Sequence, residues 1–175
     1  VEEYVQSALA GIQEQTFTDY ELIVVDDGST DSTKQIVQNF ARGDERIRLI
    51  EIPKNSPGGV ARAANIGIRA ASGEYIGFAD GDDLFLNNMF ADLISIIEKD
   101  EADIGIANYK TIDSDNKTAL PADAKIWREI TSGGEGKTFE ASDYASVKQV
   151  LRMVPVPWRK IYNREFLAKN NIEFP

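Results

Sequence analysis

The 175-residue chain has neither cysteine nor histidine. Disulfides, zinc sites and any Ser-His or Cys-His catalytic pair within this stretch are therefore excluded. No apolar run approaches the roughly 20 residues needed to cross a bilayer. No Gly-Lys-Ser/Thr loop occurs, so an ordinary P-loop is out, and Gly58-Gly59 is not a dinucleotide fingerprint. Positive charge is in short supply: 19 Lys and Arg face 29 Asp and Glu, for a net charge of −10. Such a surface repels phosphate backbones and anionic lipid, which argues against nucleic acid as a partner. A phosphorylated ligand remains possible if a divalent cation stands between two negative partners. Carboxylates are the obvious chemical groups left.

What is present is an alternation of helical and strand patterns. Tyr4, Val5, Ala8, Leu9 and Ile12 recur at helical spacing. Residues 21–26 carry the continuous apolar run Leu22-Ile23-Val24-Val25 of a covered parallel strand. Asp31 or Ser32 caps the next helix, and Ser32 with Gln35 fits a capping box. Residues 47–52, 75–79 and 103–108 read as further strands, with helices over 60–71 and from Met89 to Ile97 between them. This order predicts an α/β fold, a mostly parallel Rossmann-like sheet with helices on both faces. Residues 110–136 are polar and turn-rich, and short helices are expected over 142–153 and 164–170. A parallel domain rarely opens on an amphipathic helix, so an N-terminal strand is expected to be missing and the chain to be truncated at both ends. One domain is expected over 1–175.

Two acidic clusters end predicted strands: Asp26-Asp27, and Asp80 with Asp82 and Asp83. Ligands of open α/β sheets bind beyond the carboxyl ends of the strands. Gathering carboxylates there is costly, because like charges raise one another's pKa, unless a cation or a hydrogen-bonding ligand offsets the repulsion. Oxygen ligands suit Mg²⁺ or Mn²⁺, and Mg²⁺ commonly takes one or two carboxylates plus ligand phosphates. Gly81 between the acids permits a tight or positive-φ turn. A solvated helix-capping turn would explain a lone Asp-x-Asp; its place directly after Tyr75-Ile76-Gly77-Phe78-Ala79 favours the metal. Asp113-Ser114-Asp115 has the same spacing but sits among polar residues, where a hairpin turn accounts for it. Neither is a helix-loop-helix calcium loop, since the twelfth positions are Ala91 and Ala124 rather than Glu. Gly59 suits either a flexible loop or close approach to a ligand.

Val24-Val25-Asp26-Asp27-Gly28-Ser29-Thr30-Asp31, then Gly73-Glu74-Tyr75-Ile76-Gly77-Phe78-Ala79-Asp80-Gly81-Asp82-Asp83, resembles the large inverting glycosyltransferase family two, of the GT-A (nucleotide-diphospho-sugar transferase) fold. The helix Gly59-Val60-Ala61-Arg62-Ala63-Ala64-Asn65-Ile66-Gly67-Ile68 is similar to that family's as well. Trp158-Arg159-Lys160-Ile161-Tyr162-Asn163-Arg164-Glu165-Phe166-Leu167 and Ile172-Glu173-Phe174-Pro175 match a stretch of its polysaccharide-making members. The resemblance covers essentially the whole chain and is most specific over 21–84.

The resemblance implies a metal-dependent enzyme moving a sugar from a nucleotide-sugar donor, most often a UDP-sugar, to a saccharide or lipid-linked acceptor with inversion. It implies nucleotide binding over about 1–109 and an acceptor side over about 110–175. Asp27 would accept a hydrogen bond from the base, Asp80 would lie near the ribose or metal shell, and Asp82 would coordinate Mn²⁺ or Mg²⁺. Arg62 would face the base or phosphates, although its spacing to Asn65 departs from the family's Arg-Asn pair; an exposed helix residue is the competing reading. Trp158, Arg159 and Lys160 either border the acceptor or diphosphate, or are a packing Trp with solvated basic neighbours. The general base of such enzymes lies beyond the counterpart of Pro175. The family's habit places the work at the cytoplasmic, inner face of a membrane, in surface polysaccharide synthesis. Two rivals stand beside this reading: a haloacid-dehalogenase-like phosphatase, whose Asp-x-Asp also ends a strand, and a degenerate transferase domain kept for binding.

Overall fold

The structure, a computed structural model, describes residues 1–52, 59–113, 115, 117–131, 138–140, 142–143, 148 and 150–175. Helix α1 (Glu2–Gln13) leads to strand β1 (Leu22–Asp26), helix α2 (Thr33–Gly43) and strand β2 (Ile47–Glu51). Strand β1 pairs with β2 in parallel, Leu22 opposite Ile47 through Asp26 opposite Glu51. The amphipathic faces of α1 and α2 explain one side of this pair: Val5, Leu9 and Val37 are buried against Leu22, Val24 and Leu49. Helix α3 (Gly59–Ala70) contacts β1 from the other side, where a Cβ on Gly67 would come 3.9 Å from Val25. Helices on both faces, as expected, follow from strands whose two faces are both apolar.

The second sheet contains a strand that the sequence did not announce. Strand β3 (Tyr75–Gly77), helix α4 (Met89–Asp100) and strand β4 (Ile104–Ile106) follow the predicted order. Between β3 and β4 lies β7 (Lys160–Asn163), antiparallel to both, with Ile161 opposite Gly77 and Gly105. Alternation along β7 sends Ile161 to the α4 side, into a core with Leu93 and Ile97, and Lys160 and Tyr162 to the other face. A Cβ on Gly105 would lie 3.0 Å from Ile161 Cγ2 and 3.1 Å from Ile97 Cδ1. Gly105→Ala therefore overpacks this core, and a loss of about 1–3 kcal/mol is expected in chemical denaturation.

The polar stretch resolves into a hairpin and a helix. Strands β5 (Thr111–Ile112) and β6 (Thr118–Ala119) pair antiparallel, and Asp113 Oδ1 accepts the Asp115 and Lys117 amides across the turn. That Asp-x-Asp is a turn, as its polar surroundings implied. Helix α5 (Ala124–Thr131) follows, and α6 (Arg164–Lys169) is capped by Asn163, whose Oδ1 accepts from the Phe166 amide at 3.0 Å. The helix expected over 142–153 lies largely outside the described residues. At α2 the capping box does not form. Ser32 makes no capping bond, Gln35 bonds Asn39, and Asp31 Oδ1 takes the Thr33 amide. No helix among the described residues is long and apolar enough to cross a membrane.

Candidate functional site

Strands β1 and β3 start at the same end of the molecule. Glu21, just before β1, accepts hydrogen bonds at Oε1 from the Ser72 amide and hydroxyl and the Gly73 amide, just before β3. Their carboxyl ends therefore carry both acidic clusters to one side. The first turn of α1 confirms the convergence. The Val1 nitrogen lies 3.1 Å from Asp31 Oδ2 beyond β1, and a Cβ on Gly81 would lie 3.7 Å from Val1 Cγ2 and 3.9 Å from Val5 Cγ2. Two acidic turns about fifty residues apart in sequence thus meet at α1.

The turn after β1 uses Asp26 structurally and presents Asp27. Asp26 is buried, and its Oδ1 accepts the Ser29 amide at 3.2 Å. Gly28 bridges them at φ 72°, a conformation that glycine adopts without a Cβ penalty. Asp27 stays exposed at the strand end. Gly59, which opens α3, also has positive φ (48°) and is exposed. Gly81 does not: its φ lies outside the left-handed region, and an added Cβ would meet only ordinary contacts. Of the two turns that Gly81 permits, the tight one forms: the Asp83 amide closes on the Asp80 carbonyl at 3.2 Å.

The acids of this turn raise one another's pKa, with Asp80 exposed and Asp83 half-buried. Burial and then Asp82 raise the Asp80 carboxyl above its ordinary value. Burial, then Asp80 and Asp82, push Asp83 up to about 6. Asp83 Oδ2 is shielded from solvent and finds no hydrogen-bond donor among the described residues. Asp82 is exposed. An uncompensated charge facing such a turn fits a cation. Among the described residues no group of three or more His, Cys, Asp or Glu side chains is placed to hold a metal; Mg²⁺ commonly takes only one or two carboxylates beside ligand phosphates, and that is what this turn would offer.

The pH consequence has a definite sign. Asp83 binds its proton more tightly folded (about 6) than unfolded (about 3.9), so the native state holds more protons in between. Its contribution is full below that interval and is lost as pH rises through it. In metal-free protein, Asp83→Asn should raise the denaturation midpoint at pH 7 relative to wild type and leave little difference near pH 4. An equal shift at both pH values would contradict this.

The basic candidates divide. Arg62 is half-buried on the first turns of α3, three residues before Asn65 and so on a neighbouring part of the same helix face. Lys160 is half-buried at the end of β7 that pairs with Ile106, one residue before Ile161, which pairs with Gly77. Burial, followed by Arg159, draws its ammonium pKa down. Trp158 packs edge-on against Tyr109 at 4.8 Å. Arg159 is not a solvated neighbour: it is 1% exposed, with Nη2 2.7 Å from Asp123 Oδ2. Its partner is 36 residues away, so nothing local marks it as buried.

Two carboxamides bond distant backbone: Gln15, which nothing in the sequence singles out, and Asn65, which the sequence marks only by its spacing from Arg62. Gln15, buried after α1, donates to the Gly11 and Leu86 carbonyls and accepts the Phe90 amide. Asn65 bonds Phe174 across 109 residues. A groove of about 370 Å³ lined by Glu74, Glu98, Glu101 and Asp103 lies at the opposite, amino end of β3.

The family model for Glycosyl transferase family 2 matches residues 1–168. The uncharacterized glycosyltransferase EpsJ of Bacillus subtilis is 32% identical over 174 residues, covering 99% of this chain and 48% of that protein. Glycosyltransferase GlyG of Streptococcus pneumoniae is 38% identical over 110 residues, 63% of this chain and 36% of that one. The Staphylococcus aureus poly(ribitol-phosphate) beta-N-acetylglucosaminyltransferase TarS is 31% identical over 99% of this chain and 28% of its own length. A structure of TarS 1–349 in complex with UDP-GlcNAc superimposes with a TM-score of 0.79 at 25% identity, over 99% of this chain and 45% of that one. The mannosyltransferase PcManGT of Pyrobaculum calidifontis, in complex with GDP-Man and Mn²⁺, shares the fold at 20% identity and a TM-score of 0.67, over 99% of this chain and 44% of that one. The chain spans about half or less of the length of the curated relatives it matches.

Proposed function

Because the chain belongs to glycosyltransferase family 2, with the GT-A fold, we propose that it is the donor-binding part of an inverting, metal-dependent enzyme that uses a UDP-sugar. The haloacid-dehalogenase-like alternative is set aside by that membership. The acceptor in this reading is a saccharide or lipid-linked saccharide of a cell-surface polysaccharide, made at the inner face of a membrane. Residues 1–109 bind the nucleotide and 110–175 form the acceptor side. The supporting observation is the Asp80 turn, where Asp82 raises the Asp80 carboxyl and both raise Asp83, beside the turn that presents Asp27.

Each residue has a task in this reading. Asp82, with Asp80, would hold Mn²⁺ or Mg²⁺; when bound, the ion offsets the negative charge that develops on the nucleoside diphosphate as it leaves. Asp27, exposed at the end of β1, accepts a hydrogen bond from the base. Asp80 also faces the ribose. Arg62 and Gly59 lie at the crevice end of α3, with Arg62 turned to the base or phosphates. Lys160 brings positive charge to the phosphate side, and Trp158 borders the acceptor. The acceptor hydroxyl attacks the anomeric carbon from the face opposite the diphosphate and loses its proton to a base, assigned here to a carboxylate beyond Pro175.

A thermal-shift titration with UDP, GDP and their sugars, with and without Mn²⁺, tests the donor assignment. Stabilisation by a uridine nucleotide that requires the metal is expected. No response to any nucleotide would overturn it. Sugar transfer by the intact protein separates an enzyme from a degenerate binding domain, which would bind the donor and release no nucleoside diphosphate.

A further inference from the structure

We propose that Asn65 is a positioning residue for the donor crevice, acting through Phe174 and Phe78 on the Asp80 turn. The proposal rests on the donor reading above for its functional consequence, and on geometry for the rest. Asn65 Nδ2 donates to the Phe174 carbonyl at 2.8 Å, and the Phe174 amide donates to Asn65 Oδ1 at 2.9 Å. A carboxamide offers one acceptor and one donor side by side, so it can satisfy both backbone groups of a single extended residue, as a neighbouring strand would. One turn further along α3, Arg69 Nη1 lies 3.0 Å from Glu173 Oε1. Residues 173 and 174 therefore lie along one face of α3.

Two fixed backbone bonds also fix where the Phe174 ring goes. It meets Phe78 edge to face at 5.1 Å, and Phe78 meets Tyr162 of β7 at 5.9 Å. Phe78 has left β3 and precedes Asp80 by two residues, so nothing in the strand ladder holds it. Its ring is held between Phe174 and Tyr162 instead. The far side of the same turn is held by the other carboxamide, Gln15, which takes the Leu86 carbonyl and Phe90 amide. The acidic turn, whose carboxylates repel one another, is thus flanked by a Phe78 ring packed on the Asn65-bonded Phe174 and by the Gln15-bonded backbone of Leu86 and Phe90. Asparagine is a weaker helix former than alanine, and the Phe174 contact is what it contributes at mid-helix in return.

The test is amide hydrogen exchange on the intact protein carrying Asn65→Ala, Phe174→Ala, or both. Each single variant should lower protection over residues 78–83 as well as at 173–174, with α1 and β1 unchanged. The double variant should add nothing, because both act along one route. Asn65→Asp, which keeps the acceptor and loses the donor, should lie between wild type and Asn65→Ala. Release of 173–174 with wild-type protection at 78–83 would overturn the proposal and leave Asn65 a tail fastener. In parallel, Asn65→Ala should weaken Mn²⁺-dependent UDP binding by about tenfold, in the range found for groups that support a metal site from behind. Unchanged affinity would refute the functional half. Wild-type protein that binds no nucleoside diphosphate would defeat the donor reading itself, and the exchange data would still decide the clamp.

Discussion

Arg159→Met is expected to destabilise the protein by about 3–5 kcal/mol, the cost typical of breaking a buried ion pair from one side. Arg159 and Asp123 are 1% and 2% exposed and touch through one bond, Nη2 to Oδ2 at 2.7 Å. Without the guanidinium, Asp123 would keep the Val154 amide, at 3.0 Å, and the help of its own backbone amide. Burial works to raise the Asp123 carboxyl, and the Val154 amide and Arg159 outweigh it to hold the group below its ordinary value. Loss of Arg159 tips that balance upward, so the variant's deficit should shrink as pH falls and Asp123 takes up a proton. Among the described residues Asp123 Oδ1 and Arg159 Nε and Nη1 find no hydrogen-bond partner. The pair is therefore incompletely satisfied, and replacing both partners with apolar residues should recover most of the stability. Urea denaturation of the two variants at pH 7 and pH 5 checks the claim; a double variant as unstable as Arg159→Met would contradict it.

That ion pair shows where the sequence could be read and where it could not. Strand β1 was legible because four apolar residues in a row, ended by Asp26-Asp27-Gly28, are a local signal for a covered strand. The α1 and α2 faces were legible from their helical spacing. Strand β7 was not, because four residues with one buried Ile161 carry little pattern, and their partners are Tyr75–Gly77 and Ile104–Ile106, far back in the chain. The acids after β3 announced themselves by clustering. What restrains them did not: Gln15 and Asn65 are single polar residues whose partners lie 71 and 109 positions away. Non-local hydrogen bonds leave no periodicity, so the chemistry of the turn was readable and its support was hidden.

The second large effect is expected at Asp82, and it has two signs. With Mn²⁺ and UDP present, Asp82→Ala should remove at least about a hundredfold of nucleotide affinity, since even groups one step behind a metal ligand are worth about 10–100-fold. With metal and nucleotide absent, the same substitution should stabilise the protein at pH 7. Asp82 is one of the charges that raise Asp80 and Asp83, so deleting it lowers the repulsion that the folded state must carry. A residue that merely capped a solvated turn would give neither result: its loss would cost a little stability under both conditions and leave nucleotide binding alone. Thermal denaturation of wild type and Asp82→Ala, each with and without Mn²⁺ and UDP, separates the two. Equal ligand-induced shifts in both proteins would take Asp82 out of the metal shell. In the proposed reading both signs have one electrostatic cause: acids that raise one another's pKa weigh on the empty fold, and would support it only with a cation and a diphosphate bound.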